Sequence, residues 1–143
     1  LIVLYKAHLL GFLEYRTPAI YHATRAILQR LDNVQSKFLS NVGVDEVIAL
    51  AEFYLAPLAA RCDIAMLGLI HRTMLDKGPS QFSEHFKHGG QHGVCDPRVN
   101  CNSPLIRRSA LGLVSVYNML PPSVLSAKSV KQFQSELQVI VCK

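Results

Sequence analysis

The sequence predicts a mainly α protein, an irregular bundle of about five to six helices with a long loop near residues 87–104. Apolar residues recur at spacings of three, four and seven, and capping or helix-ending residues bound most of these segments. Half of the 143 residues are hydrophobic and 17% are charged, which excludes the disordered, collagen-like and coiled-coil classes. The length fits one domain that is large enough to bury a core without disulfides or metal.

Two helices are predicted in the first 43 residues. Leu1 to about Tyr15 places its apolar residues on neighbouring turns, although a short strand at its start is an alternative. Thr17 is the predicted N-cap of the second helix, Pro18 its first residue and Gly43 its left-handed stop. One apolar stripe is expected along this second helix: Ile20, Ile27, Leu31, Val34, Phe38 and Val42.

The middle of the chain contains two further helices and the long loop. Asp45 is expected to cap a short helix through Phe53, and Pro57 opens another helix that runs to about Asp76. Ser80–Phe86 is predicted to form one or two helical turns. Residues 87–104 have three glycines, two prolines and no apolar period, so they are predicted to be a loop.

The helical pattern resumes at Leu105. Ser109–Tyr117 is short and apolar, and a helix is favoured there over a strand. Pro121-Pro122 ends it, and Ser129 with Gln132 forms the pattern of a capping box. The final helix is predicted to bury one face formed by Val130, Phe133 and Leu137.

The net charge of +5 is unevenly distributed along the chain. Residues 1–43 carry a balance of +3, residues 44–86 a balance of −3 and residues 87–143 a balance of +5. Basic flanks allow a polyanionic partner, and an ordinary solvated surface is the alternative explanation.

Membrane-span and signal-peptide patterns, together with the cysteine spacing, indicate the cellular compartment of the protein. The apolar first segment contains Lys6, His8 and Glu14, so we expect neither a membrane span there nor elsewhere, and no signal peptide. Because the chain starts with Leu1, we expect it to be a piece of a longer polypeptide. The scattered cysteines, without a CxxC pair, favour a reducing intracellular compartment, nuclear or cytoplasmic.

Common catalytic motifs are missing from the sequence. It has no phosphate-binding glycine loop of the GxxxxGK[ST] or GxGxxG type and no GxSxG elbow. One cluster has residue types that bind zinc, but its far end lacks paired ligands, so a His-rich polar loop is the favoured explanation and no cofactor is predicted. The metal candidates are His85, His88, His92, Cys95 and Cys101.

Three stretches of the sequence, in order, carry the residues of one family pattern. The first stretch, FLEYRTPAIYHA with LQRLDNVQSKFLSNVG, contributes Leu13, Glu14, Tyr15, Pro18, Leu31, Val34, Gln35 and Phe38. The second, LAPLAARCDIAMLGLIHRTML, contributes Leu58, Arg61, Asp63, Leu67, His71 and Arg72. The third, RRSALGLVSVYNMLPPSVLSAKSVKQFQSELQ, contributes Arg107, Arg108, Ser109, Tyr117, Asn118, Leu120, Pro121, Ser129, Phe133 and Leu137. Together they resemble the region beyond the polymerase core of non-LTR retrotransposon reverse transcriptases, with Tyr117 where that family has Trp.

The resemblance implies a C-terminal piece of an RNA-directed DNA polymerase of the jockey-like or LINE type, at and beyond the thumb. Residues 1–86 would be the thumb-like and post-thumb region, 87–104 a variable loop and 105–143 a tail that packs on the first region. The chain has no Asp-Asp pair, so no catalytic residue and none of the parent polymerase's Mg²⁺ chemistry transfers to it. We therefore expect the chain to be inactive alone.

The implied partners are RNA or an RNA–DNA duplex, bound through phosphates, and the upstream polymerase domain of the same polypeptide; no membrane partner is expected. The alternative is a helical interaction or structural module that binds no nucleic acid. The predicted phosphate-binding residues are Arg25, Arg30, Lys37, Arg107, Arg108, Lys128 and Lys131.

Overall fold

A computed structural model describes residues 1–86, 93–94 and 103–142. Its contacts divide the chain into two compact units. Unit 1 contains residues 1–63 and the end of the chain from Gln138, and unit 2 contains residues 64–137. Every regular element in the described residues is helical, which confirms the mainly α prediction. The predicted loop at 87–104 lies largely outside the described residues.

Unit 1 begins with one continuous helical run. It is α-helical at both ends and π-helical over Tyr5–Leu10, which confirms the predicted first helix. Arg16, at φ −90° and ψ 0°, ends this run. The helices of unit 1 are α1 (Ile2–Leu4), α2 (Gly11–Tyr15), α3 (Thr17–Ile20), α4 (Arg25–Val42), α5 (Glu46–Phe53) and the start of α6 (Leu58–Met74).

The predicted start of the second helix is wrong. Thr17 is not an N-cap; it lies inside α3, fully buried, and its hydroxyl donates to the Leu13 carbonyl at 3.4 Å. The chain then leaves the helical conformation, and α4 begins anew after Thr24, which is extended. Local capping preferences did not predict this break, because the position of Thr17 depends on its partners in the core. There its hydroxyl also contacts the Cys62 sulfur at 3.6 Å.

The predicted apolar stripe of α4 is also only partly buried. Ile27 and Val34 are about half exposed, whereas Gln35 and Leu39 are buried. Tyr5 stacks on Phe38 with ring centroids 4.3 Å apart, and this contact fixes the side of α4 that faces the core of unit 1. A polar residue occupies part of the buried side, which hydrophobic periodicity cannot predict.

Most of the helix ends follow the predictions. Gly43 is left-handed at φ 72°, and Asp45 caps α5 by accepting from the Val47 N–H at 3.3 Å. The core of unit 1 includes Tyr5, Leu10, Leu39, Ala49, Leu55 and Leu58.

Unit 2 is built around the second half of α6 and the first part of the last helix. Its fully buried side chains include Ile70, His71, Val114, Tyr117 and Phe133. The remaining elements are α7 (Ser80–Ser83), α8 (Pro104–Arg107), a 3₁₀ turn (Ala110–Leu113), α9 (Val114–Asn118), α10 (Pro122–Leu125) and α11 (Val130–Val141).

Half of the predicted capping box is present at the start of α11. The Ser129 hydroxyl accepts from the Gln132 N–H at 3.2 Å. The Gln132 side chain, however, donates forward to Glu136 at 3.0 Å instead of returning to Ser129. The predicted apolar face is confirmed, since Phe133 and Leu137 are buried and Val130 is half-buried.

One segment is apolar enough, by length and composition alone, to cross a membrane. It is Glu46–Met74, within which an 18-residue stretch has a mean hydropathy of 1.5; the expectation of no membrane span stays a prediction. The structure divides it into α5 and α6, separated by residues 54–57, which are not helical. Half of its apolar window is buried within the protein.

Candidate nucleic-acid interface

The long helix α4 presents two of the predicted phosphate-binding residues on one side. Arg30 and Lys37 are two turns apart, and both are exposed. Exposed Asn33 and Ser40 lie along the same side. Arg25 is the first residue of α4, and its side chain lies outside what the structure describes. The exposed side of α4 therefore combines two cations with hydrogen-bonding groups, a set that suits phosphate oxygens.

The two acids of residues 1–43 are both engaged by other parts of unit 1. Glu14 forms an ion pair with Arg61, whose Nε donates to the Glu14 carboxylate at 2.6 Å. Asp32 accepts from the Ala59 N–H, in the first turn of α6, at 3.2 Å. Both carboxylates therefore bond to groups of α6, and neither bonds to Arg30 or Lys37 on the exposed side of α4.

The other four predicted cations lie in unit 2, two on each of two segments. Arg107 ends α8 and is exposed, and Arg108, the next residue, is half-buried. Lys128 and Lys131 are both exposed; Lys128 precedes α11 and Lys131 lies in its first turn. Backbone N–H groups in that turn carry the positive end of the helix dipole, so cations and dipole favour the same negative partner.

A buried histidine joins α6 to the last third of the chain within unit 2. His71 is 1% exposed, and its ring stacks on Phe133 with centroids 4.1 Å apart. Its Nε2 lies 2.9 Å from the Ala127 carbonyl oxygen, and its Nδ1 lies 2.9 Å from the Tyr117 hydroxyl. A carbonyl only accepts, so we assign the proton to Nε2, and Nδ1 then accepts from the hydroxyl.

The electrostatics of this cluster favour neutral side chains. Burial lowers the pKa of His71, since desolvation disfavours the imidazolium. Burial also raises the pKa of Tyr117 to about 12, so its hydroxyl keeps its proton and donates it. With both ring nitrogens bonded inside the core, the neutral His71 holds α6 against the segments that carry Tyr117 and Ala127 in unit 2.

Two further contacts organise the units internally. Asn118 makes two 2.9 Å hydrogen bonds with the backbone of Val94, one through each end of its amide. In unit 1, the Tyr21 hydroxyl donates to the Asp63 carboxylate at 2.6 Å. Burial raises the pKa of Tyr21, and the Asp63 carboxylate raises it further. Neither contact was predictable from the sequence, because both join residues that are far apart in the chain.

Only one residue of the predicted metal cluster lies among the described residues. His85 is exposed and follows α7. The other four candidates, His88, His92, Cys95 and Cys101, lie outside the described residues. Within residues 1–86, 93–94 and 103–142, no three His, Cys, Asp or Glu side chains converge on a point that could hold an ion.

Comparison with known proteins adds no relative. No protein-family model, curated protein or solved structure matches this chain. The reverse-transcriptase resemblance therefore depends on the residues quoted in the sequence analysis.

Proposed function

We propose that this chain is the non-catalytic C-terminal part of a non-LTR retrotransposon reverse transcriptase, which binds the template–primer through phosphates and packs on the polymerase domain. Such a protein would work inside the cell, in the nucleus or the cytoplasm. The proposal assigns no chemical step to this chain.

The observation that carries the proposal is the set of contacts among the residues that resemble the family. Glu14 of the first stretch pairs with Arg61 of the second in unit 1. His71 of the second stretch contacts Tyr117 and Phe133 of the third in unit 2. Three separately matched stretches thus supply partners to one another, which supports their descent as one folded region.

The exposed cations support contact with nucleic acid. Arg30, Lys37, Lys128 and Lys131 are on helices or at their starts, where a long side chain reaches a phosphate without strain. Phosphate contacts fix the position of a duplex and carry little base information, which suits a polymerase that copies many sequences.

The first helical run supports packing on a further domain. Large apolar residues are exposed along it, and exposed apolar surface of this kind marks protein interfaces. They are Leu1, Val3, Leu4, Leu9, Phe12 and Tyr15. The same surface also favours the second candidate function, a helical interaction module that binds no nucleic acid.

Salt-dependent binding to an RNA–DNA hybrid tests the proposal. Fluorescence anisotropy with two hybrids of unrelated sequence should show similar affinities that fall steeply between about 50 and 200 mM salt. An Arg30→Gln/Lys37→Gln variant should reduce the slope of log K against log salt by roughly 2. Lys77→Gln changes an exposed lysine outside the predicted set and is the matched control.

The alternative predicts a different result in the same experiment. Affinity that stays flat across this salt range, or is equal for the double variant and the parent, contradicts phosphate binding. Self-association in light scattering, together with no hybrid binding, would favour the interaction module.

A further inference from the structure

A cleft of about 440 Å³ lies in unit 1 between α4, α5 and the connection that joins α5 to α6. We call it the α4–α5 cleft. Its volume is within the range of pockets that hold small ligands or single side chains. It lies on a different side of α4 from Arg30 and Lys37, and its lining includes no Lys, Arg or His.

The inner surface of the cleft is apolar. Leu39 of α4 and Leu55 of the connection are each 2% exposed, and half-buried Leu50 of α5 lies beside them. A hydrocarbon stem placed here would lose its contact with water on one side, which favours binding by about 25 cal/mol per Å² covered.

The charged groups of the cleft are two carboxylates from different helices, Asp32 of α4 and Glu46 of α5. Asp32 uses one oxygen to accept from the Ala59 N–H at 3.2 Å, so its side chain is held in place. Glu46 is exposed at the start of α5. Two negative charges beside a low-dielectric wall, one of them held in place, attract a cation.

The polar groups of the cleft disfavour an anion. The α6 N-terminus, which would attract one, already has the Asp32 carboxylate. The Gln35 amide is used at both ends, since it accepts from the Tyr5 hydroxyl at 3.2 Å and donates to the Ala56 carbonyl at 3.1 Å. Only Gln29 and Ser36 remain in the lining as side-chain donors, and neither is charged.

We propose that the α4–α5 cleft binds an alkylguanidinium or alkylammonium group, such as the end of an arginine or lysine side chain. The stem lies on Leu39 and Leu55, and the charge interacts with Asp32 and Glu46. This inference stands independently of the proposed role in a polymerase.

Titration of the whole chain with n-butylguanidinium, followed by NMR, tests the ligand class. The neutral isostere n-butylurea has nearly the same shape without the charge. The cation should shift the resonances of the cleft residues and bind roughly 3- to 10-fold more tightly than the urea. Equal binding of the two, or shifts confined to other residues, overturns the proposal.

Charge-neutralising variants locate the site. Glu46→Gln should weaken n-butylguanidinium binding roughly 3- to 10-fold. Glu52→Gln removes an exposed carboxylate from the same helix outside the cleft, and it should leave the affinity unchanged. Circular dichroism shows whether both variants fold, and Asp32→Asn, which keeps an acceptor for Ala59, gives a second test. Equal affinities for the Glu46 and Glu52 variants overturn the proposal.

Peptides distinguish the two sources of the cation. A short apolar peptide with one arginine is compared with the same peptide carrying citrulline, the neutral isostere of arginine. Tighter binding of the arginine peptide than of n-butylguanidinium supports a protein segment as the ligand, whereas equal binding supports a free small cation. Loss of the difference between arginine and citrulline overturns the inference in either case.

Discussion

The imidazole Nδ1 of His71 and the hydroxyl oxygen of Tyr117 lie 2.9 Å apart, although the residues are 46 positions apart in the chain. Phe133 contacts both rings, stacked on His71 and tilted against Tyr117. The three residues therefore tie α6, α9 and α11 into one core within unit 2. Because the hydrogen bond is buried, its loss leaves an unsatisfied nitrogen that water does not reach.

Tyr117→Phe should lower the free energy of unfolding by about 1–3 kcal/mol. The substitution keeps the ring and removes only the hydroxyl that donates to His71. Urea denaturation followed by circular dichroism measures the change. Tyr15→Phe is the control, because Tyr15 is 87% exposed and its hydroxyl should contribute little. Equal stability of the two variants would mean that the His71–Tyr117 bond does not stabilise the fold.

His71 should make the protein less stable as the pH falls below about 6.5. Burial lowers its pKa in the folded state, against smaller opposing effects of the Ala127 carbonyl and of Glu136. The unfolded chain then binds more protons in this range, so protonation favours unfolding. The contribution of neutral His71 to the free energy of unfolding is complete above pH 6.5. It falls as the pH drops from 6.5 toward the lowered pKa of the folded state, by at most about 1.4 kcal/mol per pH unit.

Urea midpoints measured from about pH 7.5 to pH 5 check this prediction, since they cover the usual titration range of histidine. His71→Gln removes the titrating group and should flatten the profile, although it lowers stability at every pH. His8→Gln, a substitution of an exposed histidine in unit 1, is the matched control. A parent profile that is as flat as that of the His71 variant would show that His71 is not neutral in the folded protein.

The sequence predicted the features that depend on neighbouring residues. Gly43 and Asp45 bound their helices as expected, because left-handed stops and N-caps are formed within a few residues. The break after α3, the core role of Thr17 and the burial of Gln35 were not predictable, since each depends on partners far along the chain. The roles of the seven predicted cations stay predictions.

The α4–α5 cleft was not predictable either. The sequence places Asp32 within one helix and Glu46 in the first turn of the next, where each has an ordinary local explanation. Only the packing of α4, α5 and their connection brings the two carboxylates to one concave surface above Leu39 and Leu55.

Gln35→Met should lower the free energy of unfolding by about 2–6 kcal/mol. Gln35 is 5% exposed and accepts from the Tyr5 hydroxyl while donating to the Ala56 carbonyl. Methionine has a similar volume, but it leaves two buried polar groups without partners, at about 1–3 kcal/mol each. Gln29→Met on the exposed side of α4 is the control, and an equal loss in both variants would contradict the assigned hydrogen bonds.

The Glu14–Arg61 ion pair should show a coupling energy of about 1 kcal/mol in a double-mutant cycle. The Arg61 side chain is 13% exposed and also donates to the Tyr54 carbonyl at 3.1 Å, so its position is fixed before it meets Glu14. That fixed position reduces the entropy lost on pairing, which is why the coupling energy of this pair should exceed the median for exposed pairs.

Urea denaturation of Glu14→Ala, Arg61→Ala and the double variant gives the coupling energy. Glu52→Ala with Arg61→Ala is the control cycle, because Glu52 is exposed and the Arg61 guanidinium pairs instead with Glu14 and Tyr54. Coupling near zero in the Glu14 cycle, or equal coupling in both cycles, would show that the Glu14–Arg61 ion pair does not stabilise the contact between the first and second matched stretches.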